Sequence, residues 1–312
     1  MQSSLPVQAR RTTDQSALLI SVLLIFDSLH YVFGRELYLY ISPNVSAMYI
    51  MAISTVEIAI YALITRQMDW RVLQRHLWFF LAIGFLIGVA TNLGYTALGI
   101  VDPGTASMLG KIGTIFTIGF GMFWLRERFT TWQWVGALIA ILGSFIIAYH
   151  PGNYLQFGSV LLLLEALLYA LHTALVKRYG GEIDFINFFF FRLLSTATIL
   201  FIIAASTRSL AWPSAMAWRW LLITATVDVV ISRIFYYMAL RRLNMSVLSL
   251  ILTLSPAITI LWALWLFHTL PTLQQLSGGV AILLGVLLVL AQQRAPKPAI
   301  IHPPTVTEGA TQ

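Results

Sequence analysis

Several ionisable residues lie inside long apolar stretches of this sequence. Lys111 is the only charged residue in the run ASMLGKIGTIFTIGF (residues 106–120), and Asp27, Glu165 and Arg233 lie in similar surroundings. Charged groups at membrane depth are costly and usually face a protein interior, where they pair with one another or mark a substrate or ion pathway. We therefore treat these four residues as candidates for substrate binding or ion transfer.

Lys111 has two interpretations. As an ion-pair partner of Asp27 or Glu165 it would neutralise a buried charge, because buried charges persist mainly when they are paired. As a substrate anchor it would bind a carboxylate or a phosphate, with Asp27 as its counter-ion at rest. Both interpretations hold together if the ion pair opens when substrate arrives.

Two histidines accompany the carboxylates. Asp27 and His30 are three residues apart and Glu165 and His172 are seven apart, so each pair shares one face of a helix. Histidine titrates close to physiological pH, which suits a group that takes up and releases protons. Asp27, His30, Glu165 and His172 are therefore the candidates for proton coupling. For each histidine the alternative is a hydrogen-bonded imidazole in a protein core.

The elements that must hold these residues are membrane helices. The 312 residues are 59% apolar and 10% charged, and the mean hydropathy is +0.82, whereas about 25% of a soluble domain is charged. A helix needs about 20 apolar residues to cross a bilayer. The sequence thus predicts an all-α membrane protein with ten transmembrane helices, at residues 17–40, 45–65, 77–98, 104–125, 132–150, 157–177, 185–206, 217–240, 246–268 and 273–292.

Basic residues are distributed unevenly among the loops. With a cytoplasmic N-terminus, thirteen of the 19 Lys and Arg residues are cytoplasmic, three lie within spans, and only Arg35, Arg208 and Arg219 are external. Basic loops stay on the cytoplasmic side, so we expect a multi-pass protein of the cell (inner) membrane with both termini in the cytoplasm. This orientation accounts for the net charge of +7, and no nucleic-acid partner is needed.

The segments outside the spans are short. Residues 1–16 are predicted to be a cytoplasmic N-terminal segment, and residues 295–312, rich in Pro and Thr, a disordered cytoplasmic tail. The chain has no cysteine, which excludes thiolate metal sites. It has no H-E-x-x-H, P-loop or G-x-S-x-G motif, so we expect neither an enzyme nor a bound cofactor.

The sequence matches itself without a gap in one register, here called the repeat register, which places His30 on His172. The other matched pairs include Trp70 with Trp212, Trp78 with Trp220, Thr130 with Thr272, Gln133 with Gln275 and Gly136 with Gly278. Residues 17–150 and 157–292 are therefore predicted to be two copies of a five-helix unit. Because five is odd, the second copy enters the membrane upside down, and such inverted repeats are typical of secondary transporters.

The end of each copy carries a recognisable pattern. TASMLGKIGTIFTIGFGMFWLRERFTTWQWVGALIAILGSFIIA in the first copy, and LSLILTLSPAITILWALWLFHTLPTLQQLSGGVAILLG in the second, resemble the EamA-type branch of the drug/metabolite transporter superfamily. Thr114 replaces a frequent proline, and Thr269 replaces the acidic residue that would match Glu127. The resemblance implies a central cavity between the first, third, fourth, sixth, eighth and ninth spans. It makes the second and seventh spans peripheral, and we interpret their Glu57 and Arg192 as structural.

Polar residues recur on the cavity-facing spans. Ser107 and Lys111 share a helical face on the fourth span, and their repeat partners on the ninth are Ser249 and Thr253. Asn92 and Tyr95 lie near the position that aligns with Arg233. The predicted substrate-binding residues are Lys111, Asp27, Tyr95, Asn92, Ser107, Ser249, Thr253, Tyr237 and Arg233.

These observations predict a secondary active transporter that exports small metabolites such as amino acids by alternating access, with proton coupling. One alternative is an efflux transporter of lipophilic cations and drugs, which would use Asp27, Glu165 and the aromatic residues. Another is a membrane interaction protein that does not transport. A stripe of small residues, Gly136, Ala140 and Ser144, predicts close helix packing within one chain or in a homodimer.

Overall fold

A computed structural model describes residues 7–29, 33, 37, 39–98, 110, 112–149, 157–255, 257–258, 261–262, 265 and 272–291. Every regular element within these ranges is a helix. In chain order the α-helices are α1 (Val7–Ser28), α2 (Pro43–Ile64), α3 (Trp70–Arg75), α4 (Leu77–Leu98), α5 (Ile112–Phe123), α6 (Thr131–Ala148), α7 (Phe157–Tyr179), α8 (Phe185–Ser206), α9 (Ala215–Thr224), α10 (Ser232–Arg242), α11 (Met245–Leu252) and α12 (Leu273–Ala291). A π-helical segment, π1 (Ala225–Ile231), joins α9 to α10.

Six helical runs in the described part of the chain are long and apolar enough to cross a membrane. They are Val45–Ile64, Leu77–Gly94, Phe157–Tyr179, Phe185–Ser206, Ala215–Arg242 and Leu273–Ala291, and each coincides with a predicted span. The apolar helices Leu18–Ser28, Ile112–Phe123 and Thr131–Ile146 are shorter. Helix α1 begins at Val7, well before the predicted first span at residue 17. The total of ten spans remains a prediction.

The small-residue stripe packs within the chain, between α6 and α12. A Cβ atom built on Gly136 would lie 2.6 Å from the carbonyl oxygen of Gly285, and one built on Gly143 would lie 2.8 Å from that of Gly278. Glycine is required because the two backbones approach closely here. Of the two interpretations of the stripe, packing inside one chain is the one described by the structure, and homodimer formation stays a prediction.

The two copies end corresponding helices in the same way. After α2, the backbone N–H of Thr65 donates to the carbonyl of Tyr61 and that of Gln67 to Ala62. After α8, Thr207 and Ser209 make the equivalent bonds to Ile203 and Ala204, in the repeat register. The arginine between the two donors adopts the left-handed conformation in both copies, with φ of 53° at Arg66 and 52° at Arg208. Such αL residues are common where helices end.

Helix starts are also duplicated. The hydroxyl of Thr130 accepts from the N–H of Gln133, whose side chain accepts from the N–H of Thr130, so the two residues form a capping box. Thr272 and Gln275 make the same pair of bonds at the start of α12. The threonine and glutamine that matched in sequence therefore have one local role, to satisfy N–H groups that a helix leaves unpaired.

One end of the bundle, here called the Glu127 end, is closed by contacts between the loops. The carboxylate of Glu127 accepts from the backbone N–H groups of Met245 at 2.6 Å and Ser246 at 3.0 Å. It thereby caps α11 across the two copies and places a negative charge at a helix N-terminus. The side chain of Asn187 donates to the carbonyl of Gln67 at 2.8 Å, and so joins the copies a second time at this end.

The opposite end, here called the Tyr49 end, has its own contacts between the copies. The hydroxyl of Tyr49 donates to the carbonyl of Ala211 at 3.2 Å. The side-chain amide of Gln274 donates to the carbonyls of Ile146 and Tyr149 at 2.7 and 2.8 Å. Successive loops along the chain thus lie at opposite ends of the bundle. This is the arrangement expected of helices that cross a membrane one after another.

Candidate functional site

An ion pair links the first helix of one copy to the second copy. Asp27, near the end of α1, has its Oδ1 atom 3.6 Å from Nη1 of Arg233 on α10. The hydroxyl of Ser255 donates to the other carboxylate oxygen at 2.5 Å. The side chains of Asp27 and Arg233 remain 18% and 29% exposed. Two charges that sequence analysis assigned to the substrate site are therefore adjacent, and both stay partly accessible.

A second polar pair lies where the repeat would place it. The hydroxyls of Thr91 on α4 and Tyr169 on α7 are 2.9 Å apart. The repeat register aligns Thr91 with Arg233 and Tyr169 with Asp27. The two copies therefore make the same contact in reverse, once as an ion pair and once as a neutral hydrogen bond.

His172 and Tyr237, two predicted residues, face each other in the interior. Nε2 of His172 lies 3.5 Å from the Tyr237 hydroxyl, and both side chains are almost completely buried. The guanidinium carbon of Arg192 lies 5.0 Å from the centre of the Tyr237 ring, within the range of a cation–π contact. Arg192 is buried, so this residue of α8, a helix that the resemblance makes peripheral, places its charge beside a predicted site residue.

Glu165, a proton-coupling candidate on α7, packs against α4. A Cβ atom built on Gly94 would lie 2.5 Å from the carboxyl carbon of Glu165. Because Gly94 has no side chain, the Glu165 carboxylate can occupy this position. The side chain of Glu165 is half-buried.

The other predicted residues are placed less centrally or lie outside the described residues. Asn92 and Ser249 are partly buried. The hydroxyl of Thr253 donates to the carbonyl of Leu250 at 2.6 Å, so this side chain serves the end of α11. His30, Ser107 and Lys111 lie outside the described residues, as does the side chain of Tyr95.

The π-helical segment carries a further acidic residue. Asp228 lies within π1 and is 3% exposed, and Arg233 follows shortly after the segment ends. π-Helical turns are rare and frequently occur at functional sites. Asp228 thus lies inside the irregular segment, and Arg233, the partner of Asp27, lies just after it. In the part of the chain that the structure describes, no three His, Asp or Glu side chains are grouped as metal ligands.

Comparison with known proteins decides the family. The model of the EamA-like transporter family matches this chain twice, over residues 15–149 and 156–291. This protein belongs to the EamA-like transporter family. The resemblance found in the sequence is thereby confirmed, and the chain is a multi-pass membrane protein of a family that transports small molecules.

Two relatives of this EamA-like transporter are uncharacterized transporters. One, sll1164 of Synechocystis sp. (strain ATCC 27184 / PCC 6803 / Kazusa), is 24% identical over 240 residues, which are 70% of this chain and 69% of the relative. The other, YdfC of Bacillus subtilis (strain 168), is 29% identical over 199 residues, or 60% of this chain and 62% of the relative. A protein of known crystal structure is similar in fold, with a TM-score of 0.74 and 16% sequence identity. The alignment covers 89% of this chain and 97% of that chain.

Several contacts in the interior of this EamA-like transporter were not predicted from the sequence. The structural interpretation of Arg192 stays a prediction, but its contact with the Tyr237 ring had not been predicted. The contact between Thr91 and Tyr169 was not predicted, although the repeat register aligns them with Arg233 and Asp27. Applying that register to both members of a suspected pair would have found them. Ser255 had no comparable signal in the sequence, since its contact with Asp27 joins distant parts of the chain.

Proposed function

We propose that this protein is a secondary active transporter that exports small metabolites such as amino acids by alternating access. The observation that carries the proposal is the pair formed by Asp27 and Arg233. It joins opposite charges, one from each inverted copy, at a point that is partly open. A polar contact between two copies that move relative to one another suits a site opened and closed by that motion.

The pair is complementary to a zwitterion. A substrate ammonium group would bind to the Asp27 carboxylate, and a substrate carboxylate would bind to the Arg233 guanidinium. The separation of 3.6 Å exceeds that of a close charge-assisted hydrogen bond, about 2.8 Å. Since both side chains are also partly exposed, opening this pair costs less than breaking a fully buried ion pair. Lys111 would add a second cation for the substrate carboxylate.

The places where the two copies touch support alternating access. Glu127 and Asn187 connect them at one end, and Tyr49 and Gln274 connect them at the other. Rocking of one copy against the other would open one end while it closes the other, about the Asp27–Arg233 and Thr91–Tyr169 pairs. In the proposed orientation the Glu127 end faces the cytoplasm of a cell (inner) membrane, as do both termini.

Proton coupling is the second part of the proposal. Asp27, Glu165 and His172 carry titratable groups in the interior, and His30 would be the fourth. The imidazole of His172 faces the Tyr237 hydroxyl at 3.5 Å, which offers one short step for a proton. Downhill flow of protons would then drive export of the metabolite.

Transport by reconstituted protein tests the proposal. Liposomes would be loaded with a panel of labelled amino acids, organic acids, phosphorylated metabolites and lipophilic cations, and efflux would be followed with and without a pH gradient. We expect efflux of a zwitterion that Asp27→Asn and Arg233→Gln abolish. Glu57→Gln is the matched control, because Glu57 accepts a hydrogen bond from Thr226 on an exposed face away from the pair.

Each remaining outcome identifies a different function. Efflux of lipophilic cations that depends on Asp27 and not on Arg233 would identify a drug efflux transporter. A ligand that raises the melting temperature but is never transported would identify a binding protein, since ligand binding stabilises the native state. Either result would overturn the proposed metabolite export.

A further inference from the structure

A groove of about 600 Å³ lies between α2 and α8 near the Tyr49 end. Helix α2 contributes Met48 and Ala52, α8 contributes Ala197 and Phe201, and the loop after α8 contributes Trp212. Most of this lining is apolar. The groove is separate from the Asp27 site, since none of its lining residues belongs to that site.

The depth of the groove corresponds to one leaflet of a bilayer. Ala197 precedes the last residue of α8, Ser206, by nine positions, which is about 14 Å along a helix. The hydrocarbon core of a bilayer is about 30 Å thick, so one leaflet supplies about 15 Å. The groove therefore extends from the end of the helix to about the middle of the membrane.

The inverted repeat supplies an internal comparison at the Glu127 end. There Trp70 packs edge-on against Phe190 and Phe191, with ring centres 6.1 and 5.5 Å away. The repeat register aligns Trp70 with Trp212, and Phe190 and Phe191 with Met48 and Tyr49. The counterpart of Trp212 thus packs directly on the counterparts of Met48 and Tyr49.

The residues around the groove differ in type from their repeat counterparts, and Trp212 packs differently from Trp70. Trp218 stands where the first copy has His76. The ring centres of Trp218 and Tyr49 are 5.4 Å apart, so Trp218 packs on Tyr49 as Trp70 packs on Phe191 at the other end. Trp212 packs against Trp218 instead, with the two ring centres 5.6 Å apart. It is 82% exposed, against 54% for Trp70.

We propose that this groove binds one acyl chain of a phospholipid from the leaflet at the Tyr49 end. An apolar channel one leaflet deep, on the face that α2 and α8 present to the membrane, fits a single hydrocarbon chain. Tyr49, Trp212 and Trp218 surround its mouth, and such aromatic residues favour the level of the lipid headgroups. The exposed Arg208, two residues before the lining residue Leu210, supplies a cation for the lipid phosphate.

Retention of lipid by the purified full chain tests the proposal. The protein would be reconstituted in vesicles of palmitoyl-oleoyl phosphatidylglycerol, extracted into mild detergent and weighed by native mass spectrometry. We expect one phospholipid to remain on the wild type. Ala52→Phe and Ala197→Phe should lose that lipid because each adds a ring to the groove, whereas Leu142→Phe, on the exposed face of α6, should retain it.

Photolabelling of the unaltered protein avoids any effect of substitution on folding. A phosphatidylglycerol with a diazirine on its acyl chain should label residues 48–52 and 197–212 more strongly than the exposed face of α6. Equal labelling of the two regions would overturn the proposal, as would equal retention of lipid by the wild type and Ala52→Phe. A dimer that Ala52→Phe dissociates would overturn it too, because a second copy would then occupy the groove.

Discussion

The hydroxyls of Thr91 and Tyr169 lie 2.9 Å apart, at the positions that correspond by repeat to Arg233 and Asp27. One copy thus contributes an acid and the other a base to a charged contact, while the reverse contact is neutral. The neutral contact preserves the geometry of the inverted repeat without adding two further charges to the membrane interior, where each would be costly.

Tyr169→Phe should show that the Thr91–Tyr169 contact contributes to stability and not to substrate binding. Loss of the hydroxyl removes its hydrogen bond to Thr91, and we expect a loss of about 1 kcal/mol in unfolding free energy. Substrate should still raise the melting temperature, because Asp27 and Arg233 remain. Thermal melts of Tyr169→Phe and Asp27→Asn, each with and without substrate, check this. Loss of the substrate response in Tyr169→Phe would contradict it.

Glu127→Ala should loosen the Glu127 end. The carboxylate caps α11 through two backbone N–H groups, and loss of such a cap costs about 1 to 2 kcal/mol. We expect a lower melting temperature, and a smaller decrease for Glu127→Gln, which keeps one acceptor oxygen. Glu182, an exposed residue of the loop between α7 and α8, provides the control Glu182→Ala. Equal melting temperatures for Glu127→Ala and the control would show that the cap is dispensable.

Gly143→Ala should destabilise the packing of α6 on α12. The added methyl group would lie 2.8 Å from the carbonyl oxygen of Gly278, a backbone atom that cannot swing aside. Overpacking of this kind typically costs about 1 to 3 kcal/mol. Gly119→Ala is the control, since a Cβ atom there would have no described atom within 4 Å. Thermal unfolding of both variants in the same detergent should show a decrease only for Gly143→Ala.

Gly94→Ala should alter coupling more than stability. Its methyl group would meet the carboxylate of Glu165, which sits at the end of a flexible side chain and can move away at little cost. If Glu165 carries a proton, the displaced carboxylate should weaken efflux driven by a pH gradient, while the melting temperature changes little. Counterflow exchange of substrate without a gradient should persist. Normal gradient-driven efflux in Gly94→Ala would remove Glu165 from the coupling pathway.

Sequence reasoning predicted the all-helical fold and the two-copy layout because apolar length and the repeat register are both visible in a single chain. The register also predicts the duplicated caps, since Thr130 and Gln133 match Thr272 and Gln275. It did not reveal how Arg192 is oriented. A helix that is apolar on all sides has no amphipathic pattern from which to infer the buried face.

Contacts within the site were harder to predict than the spans that carry them. Asp27 and Arg233 belong to different copies, so their contact depends on how the copies pack. The π-helical segment was also hidden, because ATVDVVI differs little in composition from the α-helical sequence around it. Irregular helices of this kind depend on tertiary contacts as much as on local preference.

The Asp27–Arg233 pair also has a consequence for expressing the two copies as separate polypeptides. An antiparallel dimer of the first copy alone would place Asp27 against Thr91, and a dimer of the second alone would place Arg233 against Tyr169. Neither half can rebuild the charged contact with a twin of itself. Two separate polypeptides cut between α6 and α7 would therefore have to be expressed together, and each would select the other as its partner by charge.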